Sequence, residues 1–432
     1  MRRFIALAVL LALGACSKDK DVDAPAKLTN VQATLRVERI WTDNLGGAKV
    51  PLRLGLALAV DGERVYAAGR KGDVAAFALA SGHQIWRTHT KAPLGGATGV
   101  GGGLVVVGSS DGDVIALDAA KGAVLWHVHV NGEILSAPAI GARAVVLRTA
   151  DGKLRGLAIK DGKELWQQEQ LVPRLSLRGV AQPVIAGDLA VCGFDNGKVV
   201  AVNSNDGTIA WEAPVSPPRG RTELERLVDI DSAVKISGQD IYVVGFQGKV
   251  AMLALETGQV WWSHEASSYR SLGIDDDNLY MASADGEITA LTRRTGADVW
   301  HQKALLNRGL SAPAVSDDAV VVADYKGYVH WLDKSTGKLA ARVGTSKFRI
   351  SNAPVVVGNI TIVINDRGRI FAYRVTPLAG GAKPAVKAAP AAPTPTAPAS
   401  PAADPSATPP AVDPVPPVPP AAPRTDSPPP GR

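Results

Sequence analysis

The residues whose chemistry could support catalysis or metal binding are few in this 432-residue chain. Cys192 lies in the apolar run Leu189–Cys192 with no basic neighbour to lower the pKa of its thiol, so we expect a small buried core residue. His127 and His129 share one face of a predicted strand without a third ligand, which favours a surface pair over a metal site. The sequence shows no nucleophile elbow, Walker loop or paired-cysteine zinc pattern.

The first residues resemble the leader of a bacterial lipoprotein. Two arginines precede the apolar run Phe4–Leu13, which is shorter than the roughly 20 residues of a spanning helix and fits a secretory signal. Leu13-Gly14-Ala15-Cys16 resembles a lipobox, which implies that residues 1–15 are removed and that Cys16 is acylated. Ser17 replaces the aspartate typical of inner-membrane retention, which implies a lipid anchor on the periplasmic face of the outer membrane. The alternative is an ordinary cleaved signal.

The other end of the chain has a composition that cannot form a core. Nineteen of the 30 prolines lie from Pro377 onward, in a stretch without Trp, Cys, Met or His. Such a segment buries too little apolar surface to offset its ordering entropy, so residues 376–432 are predicted to be disordered. Between leader and tail, residues 16–375 hold 41 basic and 38 acidic residues. This near-neutral balance argues against nucleic acid as a partner.

A glycine and tryptophan repeat organises the residues between these ends. A glycine that opens an alternating apolar stretch recurs eight times at spacings of 38 to 51 residues, at Gly72, Gly112, Gly152, Gly197, Gly248, Gly286, Gly327 and Gly368. Ten residues after each of the first seven of these glycines comes a second glycine. Fourteen residues after the same seven glycines come Trp86, Trp126, Trp166, Trp211, Trp262, Trp300 and, in the seventh unit, Ala341. Each unit contains four short runs separated by glycine turns, which is typical of a propeller blade.

The last unit, from Ser351 to Val375, contains three predicted strands and then ends. A strand over residues 37–41 alternates and ends in Trp41, which fits the tryptophan column because it lies 45 residues before Trp86. We therefore predict an all-β fold, an eight-bladed β-propeller of four-stranded antiparallel blades over residues 34–375. The N-terminal strand closes the last blade and removes its free edge. Residues 16–33 are then a lipidated linker.

The alignment of the units also explains a run of acidic residues. Asp275-Asp276-Asp277-Asn278 resembles a metal loop in isolation, but its equivalents in other units are Asp61-Gly62 and Asp317-Asp318. All occupy the turn between the first two strands of a unit, so a solvated turn is expected. We expect no metal, no cofactor and no catalytic residue.

Three segments carry a resemblance to known families. Residues 116–126, ALDAAKGAVLW, resemble the repeat of quinoprotein-like eight-bladed propellers, some of which are quinone-dependent dehydrogenases. Residues 173–179, PRLSLRG, and 222–231, TELERLVDID, resemble segments of the propeller lipoproteins of the outer-membrane β-barrel assembly machinery, the BAM complex. Arg174 replaces a small polar residue of that pattern. The second resemblance implies a non-catalytic scaffold that binds the POTRA domains of BamA and assists the insertion of β-barrel proteins.

The two longest spacings, 45 and 51 residues, locate insertions after Trp166 and Trp211. These connections between blades are adjacent and lie on one face, so they should form one composite surface. Aliphatic anchors, guanidinium groups and carboxylates suit a protein partner, and the predicted contact residues are Leu175, Leu177, Arg178, Arg226, Asp229 and Asp231. In the alternative arrangement, Arg178 pairs internally with Asp229 or Asp231.

Two other functions stay open. A quinone-dependent dehydrogenase is disfavoured because the chain has no adjacent cysteines and lacks the long loops that build such a cofactor site. A chaperone-like binder would capture unfolded outer-membrane proteins by adding strands to exposed blade edges. Periplasmic localisation permits this second function, and no segment of the sequence requires it.

Overall fold

Short β-strands separated by glycine turns make up the computed structural model, which describes residues 24–46, 56–177 and 181–378. The predicted signal peptide, Cys16 and all but the first three residues of the predicted tail lie outside these ranges. All regular structure that the ranges contain is β. No helix in them has the length and apolar character needed to cross a membrane.

The strands form eight four-stranded antiparallel sheets, which are the blades of a propeller. Blades 1 to 4 contain β2 (Ala59–Asp61), β3 (Arg64–Ala68), β4 (Asp73–Ala78), β5 (Gln84–His89); β6 (Gly99–Gly101), β7 (Leu104–Gly108), β8 (Asp113–Asp118), β9 (Val124–His129); β10 (Ala139–Ile140), β11 (Ala144–Arg148), β12 (Lys153–Ala158), β13 (Glu164–Glu169); and β14 (Val184–Ala186), β15 (Leu189–Gly193), β16 (Lys198–Asn203), β17 (Ile209–Pro214). Blades 5 to 8 contain β18 (Lys235–Ser237), β19 (Asp240–Val244), β20 (Gly248–Ala254), β21 (Val260–Ala266); β22 (Gly273–Ile274), β23 (Asn278–Ala282), β24 (Ile288–Thr292), β25 (Asp298–Gln302); β26 (Ala314–Val315), β27 (Ala319–Ala323), β28 (Tyr328–Asp333), β29 (Leu339–Gly344); and β30 (Val355–Val357), β31 (Ile360–Ile364), β32 (Arg369–Pro377) with β1 (Leu35–Asn44).

Strand alternation places the turns of every blade on two faces of the ring. The turns between first and second strands and between third and fourth strands share one face, here named the hairpin face. The turns between second and third strands and the connections between blades share the other face, the loop face. Backbone bonds join these two kinds of segment: Thr90 N donates to Gly72 O at 2.8 Å, and Val130 N donates to Gly112 O at 2.9 Å. Insertions between blades therefore extend from the loop face.

The N-terminal strand closes the ring, which confirms the predicted eight-bladed propeller. β1 pairs with β32 in antiparallel register from Leu35 opposite Pro377 to Asn44 opposite Arg369, with a bulge beside Trp41. Blade 8 thus takes three strands from the C-terminal end and its outer strand from the N-terminal end. The closing strand is longer than the predicted segment 37–41.

The tryptophan and glycine columns meet between neighbouring blades. Trp126 on β9 donates its indole N–H to Ile159 O of blade 3 at 2.7 Å. The same bond, at 2.8–3.1 Å, recurs for Trp41, Trp86, Trp166, Trp211, Trp262 and Trp300. Gly162 lies beneath the Trp126 ring with a φ of +72°, and a Cβ there would come within 2.7 Å of the indole. Each contact therefore needs glycine both for its turn and for its ring packing.

Blade 7 reverses this arrangement, which explains Ala341 in the tryptophan column. In blade 2 the small Ala116 of the third strand lies opposite Trp126, whereas in blade 7 Trp331 of β28 lies opposite Ala341 of β29. The third and fourth strands of blade 8, β32 and β1, come from the C-terminal and N-terminal sides of the ring sequence, so no turn joins them. Leu35 of β1 packs in that region, in the cluster that holds Ala341. Blade 8 therefore lacks the turn glycine on which an indole ring of blade 7 would pack.

Three groups of reactive residues are placed as the sequence predicts. Cys192 is fully buried on β15, as predicted, and burial raises the pKa of its thiol to about 12. The expectation that it has no basic neighbour was wrong, because the Arg148 guanidinium of the preceding blade lies beside it and partly opposes this rise. His127 and His129 are exposed on β9 with ring nitrogens 3.0 and 3.6 Å from the Asp113 carboxylate. Residues 275–277 form the turn between β22 and β23. Across the three described ranges, no cluster of three or more His, Cys, Asp or Glu side chains has the grouping of a metal site.

Candidate partner-binding surface

Two adjacent connections extend from the loop face. Loop 3–4 (residues 170–183) joins β13 to β14, and loop 4–5 (residues 215–234) joins β17 to β18. The Leu177 N–H donates to Asp229 Oδ2 at 3.1 Å, so a direct hydrogen bond joins the two loops. The structure therefore brings together the two segments that the repeat spacing marked as insertions. Arg178 lies outside the described residues.

Loop 4–5 is anchored by apolar side chains and by the backbone of the next blade. Its apolar anchors are buried, namely Leu227, Val228, Ile230 and Val234. Asp229 and Phe246 form an isolated β-bridge, in which Phe246 N donates to Asp229 O at 2.8 Å. Burial of these anchors stabilises the loop as part of the ring.

A capped turn at the tip of loop 4–5 presents two side chains to solvent. Glu225 Oε2 accepts the Arg221 N–H at 2.7 Å, and Thr222 Oγ1 accepts the Glu225 N–H at 3.2 Å. The first of these bonds, from the Arg221 backbone, is the main reason that the pKa of Glu225 lies below its ordinary value. The turn holds Leu224 and Arg226 outward, and the Leu224 side chain is 65% exposed.

Loop 3–4 contributes further apolar surface. Leu171 is 80% and Leu175 is 42% exposed, whereas Leu177 is half-buried. Leu171 and Leu224 were not among the residues predicted from the sequence. The sequence could have indicated them only by their position, because each is a large apolar residue inside one of the two insertions.

A buried cluster of charges lies beneath the loops, centred on Arg148. Arg148 ends β11 and is 1% exposed. Its guanidinium Nη1 donates to Gly193 O at 2.8 Å, its Nη2 contacts the Asp195 carboxylate, and the group covers the Phe194 ring at 4.6 Å. Sequence reasoning missed this residue. The sequence could have indicated it, because Arg148 is a charged residue at the end of the second strand of its blade. The other blades have a small or aliphatic residue at that position, such as Gly108 of β7.

Two of the predicted contact residues face this buried cluster. Burial and the nearby Asp195 raise the pKa of Asp229 to about 7. Burial and the charge of Asp229 hold the pKa of Asp231 well above its ordinary value. The Oδ1 atoms of both aspartates accept no hydrogen bond from the described residues. Three carboxylates therefore share a poorly solvated space with Arg148, and a further cation is favoured there.

The predicted contact residues separate into three groups by exposure. Leu175 and Arg226 are exposed, Leu177 and Asp231 are half-buried, and Asp229 is fully buried. Arg178 and the predicted lipidation site, Cys16, fall outside the described residues. The exposed part of the surface is thus formed by leucines and Arg226, with carboxylates below them. This combination of apolar anchors and a guanidinium suits a protein interface.

A family model described as outer membrane protein assembly factor BamB matches residues 70–302 and 284–377. A relative of that name from Pseudomonas aeruginosa is 45% identical over 370 residues, covering 85% of this chain and 97% of the relative. One from Alkalilimnicola ehrlichii is 46% identical over 374 residues, covering 87% of this chain and 97% of the relative.

Solved structures show the same relationship. BamB from Moraxella catarrhalis superposes with a TM-score of 0.72 at 26% identity, covering 78% of this chain and all of that chain. A quinohemoprotein alcohol dehydrogenase from Comamonas testosteroni has a TM-score of 0.62 at 12% identity, covering 78% of this chain and 76% of that one. At that identity the dehydrogenase shares the fold alone. The chain belongs to the family of the outer membrane protein assembly factor BamB.

Proposed function

We propose that this chain is a non-catalytic scaffold lipoprotein of the outer-membrane protein assembly complex. In this proposal, loops 3–4 and 4–5 bind the POTRA region of BamA, and the protein assists the insertion of β-barrel proteins into the outer membrane. Family membership supports the assembly role. The observation that carries the binding proposal is the pair of loops joined by the Leu177–Asp229 hydrogen bond, with exposed leucines on both.

The geometry of the loops suits docking with little loss of freedom. Leu171, Leu175 and Leu224 are exposed on segments that are already tied to the ring. Burying one such side chain against a partner contributes about 1.5–3 kcal/mol, and an ordered loop avoids much of the entropy cost of binding. Asp229 is buried, so its role in the proposal is to position loop 3–4 by accepting the Leu177 N–H.

The binding proposal is tested by co-purification with BamA from solubilised outer membranes. We expect the double variant Leu175→Ala, Leu177→Ala to lose BamA without a large change in thermal unfolding. A matched control is Leu125→Ala with Leu165→Ala, two outer-strand leucines that are 52% and 49% exposed. Equal retention of BamA by both double variants would overturn the proposed docking surface.

Arg178 is tested separately by charge reversal. We expect Arg178→Glu to abolish co-purification with BamA, whereas Arg143→Glu, an exposed arginine at the hairpin face, should leave it unchanged. Arg226→Glu should weaken it because this guanidinium is exposed beside Leu224. If Arg178 pairs internally with Asp229 or Asp231, Arg178→Glu will instead lower the unfolding temperature by adding a fourth carboxylate to the buried cluster.

The lipid anchor is tested at Cys16. We expect metabolic labelling with a palmitate analogue to mark the full chain and the Cys16→Ser variant to lose both the label and its outer-membrane location. Labelling that survives in Cys16→Ser would contradict acylation at this position.

Capture of unfolded clients is a second candidate, favoured by apolar residues on the outer strands. Leu125 and Trp261 are 52% and 56% exposed. However, each lies at a bulge, where the ladder to the third strand shifts by one residue, and bulges disfavour strand addition. Val128 packs against the core between blades, so Leu125 is the better position for a photocrosslinker. We expect no client products there, and their appearance would favour capture.

A further inference from the structure

The segment before β1 is held in a groove between blades 6 and 7. Ala26 N donates to Leu306 O at 2.9 Å, and Arg308 Nη1 donates to Ala26 O at 3.0 Å. Farther along, Thr34 N donates to Ala340 O at 2.9 Å. Between these ends, Leu28 packs against the apolar cluster of blades 6 and 7. We name residues 24–34 the strap.

The strap has a definite direction across the ring. Leu306 and Arg308 belong to the connection between blades 6 and 7, so Ala26 lies at the loop face. Ala340 lies near the start of β29, beside the hairpin face. The strap therefore enters at the loop face and runs to the hairpin face. The N-terminal end of the strap therefore lies at the loop face, beside the connection between blades 6 and 7.

The position of this end limits the distance between the ring and the bilayer. The inference rests on the proposed acylation of Cys16, which stands eight residues before Ala24. Eight extended residues span at most about 28 Å. If the strap were not docked, the flexible connection between Cys16 and the ring would extend to β1. Either face of the ring could then approach the membrane. With the strap docked, the loop face near blades 6 and 7 is the one held close to the lipids.

On the side of the strap toward blades 7, 8 and 1 the loop face is basic, whereas blade 6 on the other side presents the exposed Asp285. Basic side chains project there from blades 7, 8 and 1 and their connections, namely Arg70, Lys71, Lys91, Lys326, Lys347, Arg349, Arg367 and Arg369. Lys71, Lys326 and Lys347 are exposed and form no ion pair with a carboxylate of the described residues. We name this region the basic half-face.

Aromatic rings lie among these cations and connect them to the strap. Arg308, which binds the strap, lies 5.7 Å from the Tyr325 ring, and the Lys326 ammonium lies 5.1 Å from the same ring. Arg367 covers Phe348 at 4.5 Å, and Phe348 is 41% exposed. An exposed aromatic ring among basic side chains is typical of surfaces that contact the headgroup region of a bilayer.

The carboxylates of the basic half-face are buried or lie against a partner side chain, as Asp43 does with Arg87 at 3.1 Å and Asp73 with His89 at 3.2 Å. Asp324 is fully buried, where Arg308 and His330 contact it at 2.7 and 3.2 Å. Asp366 is half-buried and accepts the Ser351 hydroxyl at 2.8 Å. The hairpin face differs, because its turns carry many acidic residues, among them Asp61, Asp118, Asp161, Asp188, Asp206, Asp240, Asp276 and Asp333. The hairpin face also carries lysines, such as Lys121, Lys163 and Lys338, but these stand in the same turns as Asp118, Asp161 and Asp333. The basic half-face therefore differs in charge from the hairpin face, and it lies beside the strap.

We propose that the basic half-face lies against the membrane and binds the phosphates of anionic lipid headgroups. Lys71, Lys326, Lys347 and Arg367 supply the charge, and Phe348 enters the headgroup layer. The strap orients the ring, while the leucines of loops 3–4 and 4–5 stay on the other half of the same face. BamA docking and lipid contact then use separate regions.

The charge contribution is tested on the full mature chain with Cys16→Ser, so that no acyl group binds the bilayer. The probe is sedimentation with vesicles of phosphatidylcholine alone or with phosphatidylglycerol added. We expect binding to phosphatidylglycerol vesicles that weakens with salt. Lys71→Glu with Lys326→Glu and Lys347→Glu should weaken it about 100-fold, because each lysine near an anionic surface contributes about 1 kcal/mol.

The matched control reverses three exposed lysines of the hairpin face, Lys121, Lys163 and Lys338. These reversals make the same change in net charge, and we expect a decrease of less than threefold. Equal losses in both triple variants, or no preference for phosphatidylglycerol, would overturn the proposal. Tighter binding to duplex DNA than to these vesicles would also overturn it, because another polyanion would then be the ligand.

The orientation is tested on the acylated chain in vesicles by energy transfer to headgroup acceptors. Donor dyes are placed at Lys326→Cys or at Lys121→Cys, since Cys192 is fully buried. We expect greater transfer from position 326, and greater transfer from 121 would contradict the orientation. The lysine variant of the basic half-face should retain BamA in co-purification, so failure of the lipid proposal is distinguishable from failure of the docking proposal.

Discussion

At the residue scale, Asp229 shows how the two loops are joined at an electrostatic cost. Its Oδ2 accepts the Leu177 N–H. Three other charged side chains lie near it, namely Arg148, Asp195 and Asp231. Burial and Asp195 disfavour the ionised carboxylate and raise its pKa to about 7, against an ordinary value of 3.8. The folded protein therefore binds more protons at this site than the unfolded chain between these two pH values.

This raised pKa predicts how stability changes with pH. When the folded-state pKa exceeds the unfolded value, the free energy of unfolding falls as pH rises between them and levels off above the folded pKa. Asp229→Asn keeps an acceptor for the Leu177 N–H but cannot ionise. We expect the variant to show a shallower fall between pH 4 and 7 and to exceed the original chain in stability at pH 8. Denaturant unfolding across this range checks it, and an unchanged slope would contradict it.

Gly122 gives a second prediction for a single residue. Its φ is +71°, and a Cβ there would lie 2.4 Å from the Trp86 ring. Gly122→Ala should cost about 2–4 kcal/mol, from the left-handed backbone and from overpacking against the indole. Gly102 is the control, because its φ is +56° with no atom within 4 Å of a Cβ. Gly102→Ala should cost only about 1 kcal/mol in the same denaturant titration, and equal costs would show that the indole contact is unimportant.

At the element scale, blade 7 has its tryptophan on the third strand, as Trp331, and its alanine on the fourth, as Ala341. The order is the reverse of that in blade 2. Trp331 is fully buried, with its ring 6.1 Å from Tyr373 of blade 8. Trp331→Ala should cost about 3–5 kcal/mol through the cavity that it leaves. Adding Ala341→Trp restores the pattern of the other blades, yet we expect no rescue because Leu35 fills that region and no turn glycine is present. Recovery of stability in the double variant would contradict this explanation.

The sequence could predict the elements that repeat and the strand that closes the ring. The glycine and tryptophan columns define the turns and the contacts between blades, and Trp41 assigned β1 to blade 8. Contacts made only once were not predictable. Leu28 enters a groove formed by blades 6 and 7, and Arg148 reaches Asp195 in the next blade. No periodicity encodes such contacts, and the burial of Asp229 also depends on how two irregular loops pack.

At the scale of the whole molecule, stability depends on one strand from the N-terminal end. Deletion of residues 17–44 removes the strap and β1, which leaves β32 as an unpaired edge and uncovers the cluster around Trp331. We expect loss of cooperative thermal unfolding and aggregation in size-exclusion chromatography. Deletion of residues 17–23 alone, before the strap, should leave both measurements unchanged. A cooperative monomer without β1 would show that the other strands suffice.

The closing strand also determines the order in which the molecule can be completed. Thr42 donates its hydroxyl to Ile370 O, a residue 328 positions later in the chain. A chain that is made from its N-terminal end therefore holds β1 without a partner until nearly all of the ring has been synthesised. Blades 1 to 7 can form from neighbouring segments, whereas blade 8 waits for both ends. The first strand to be made is thus among the last to find its place, and an interrupted chain cannot seal the ring.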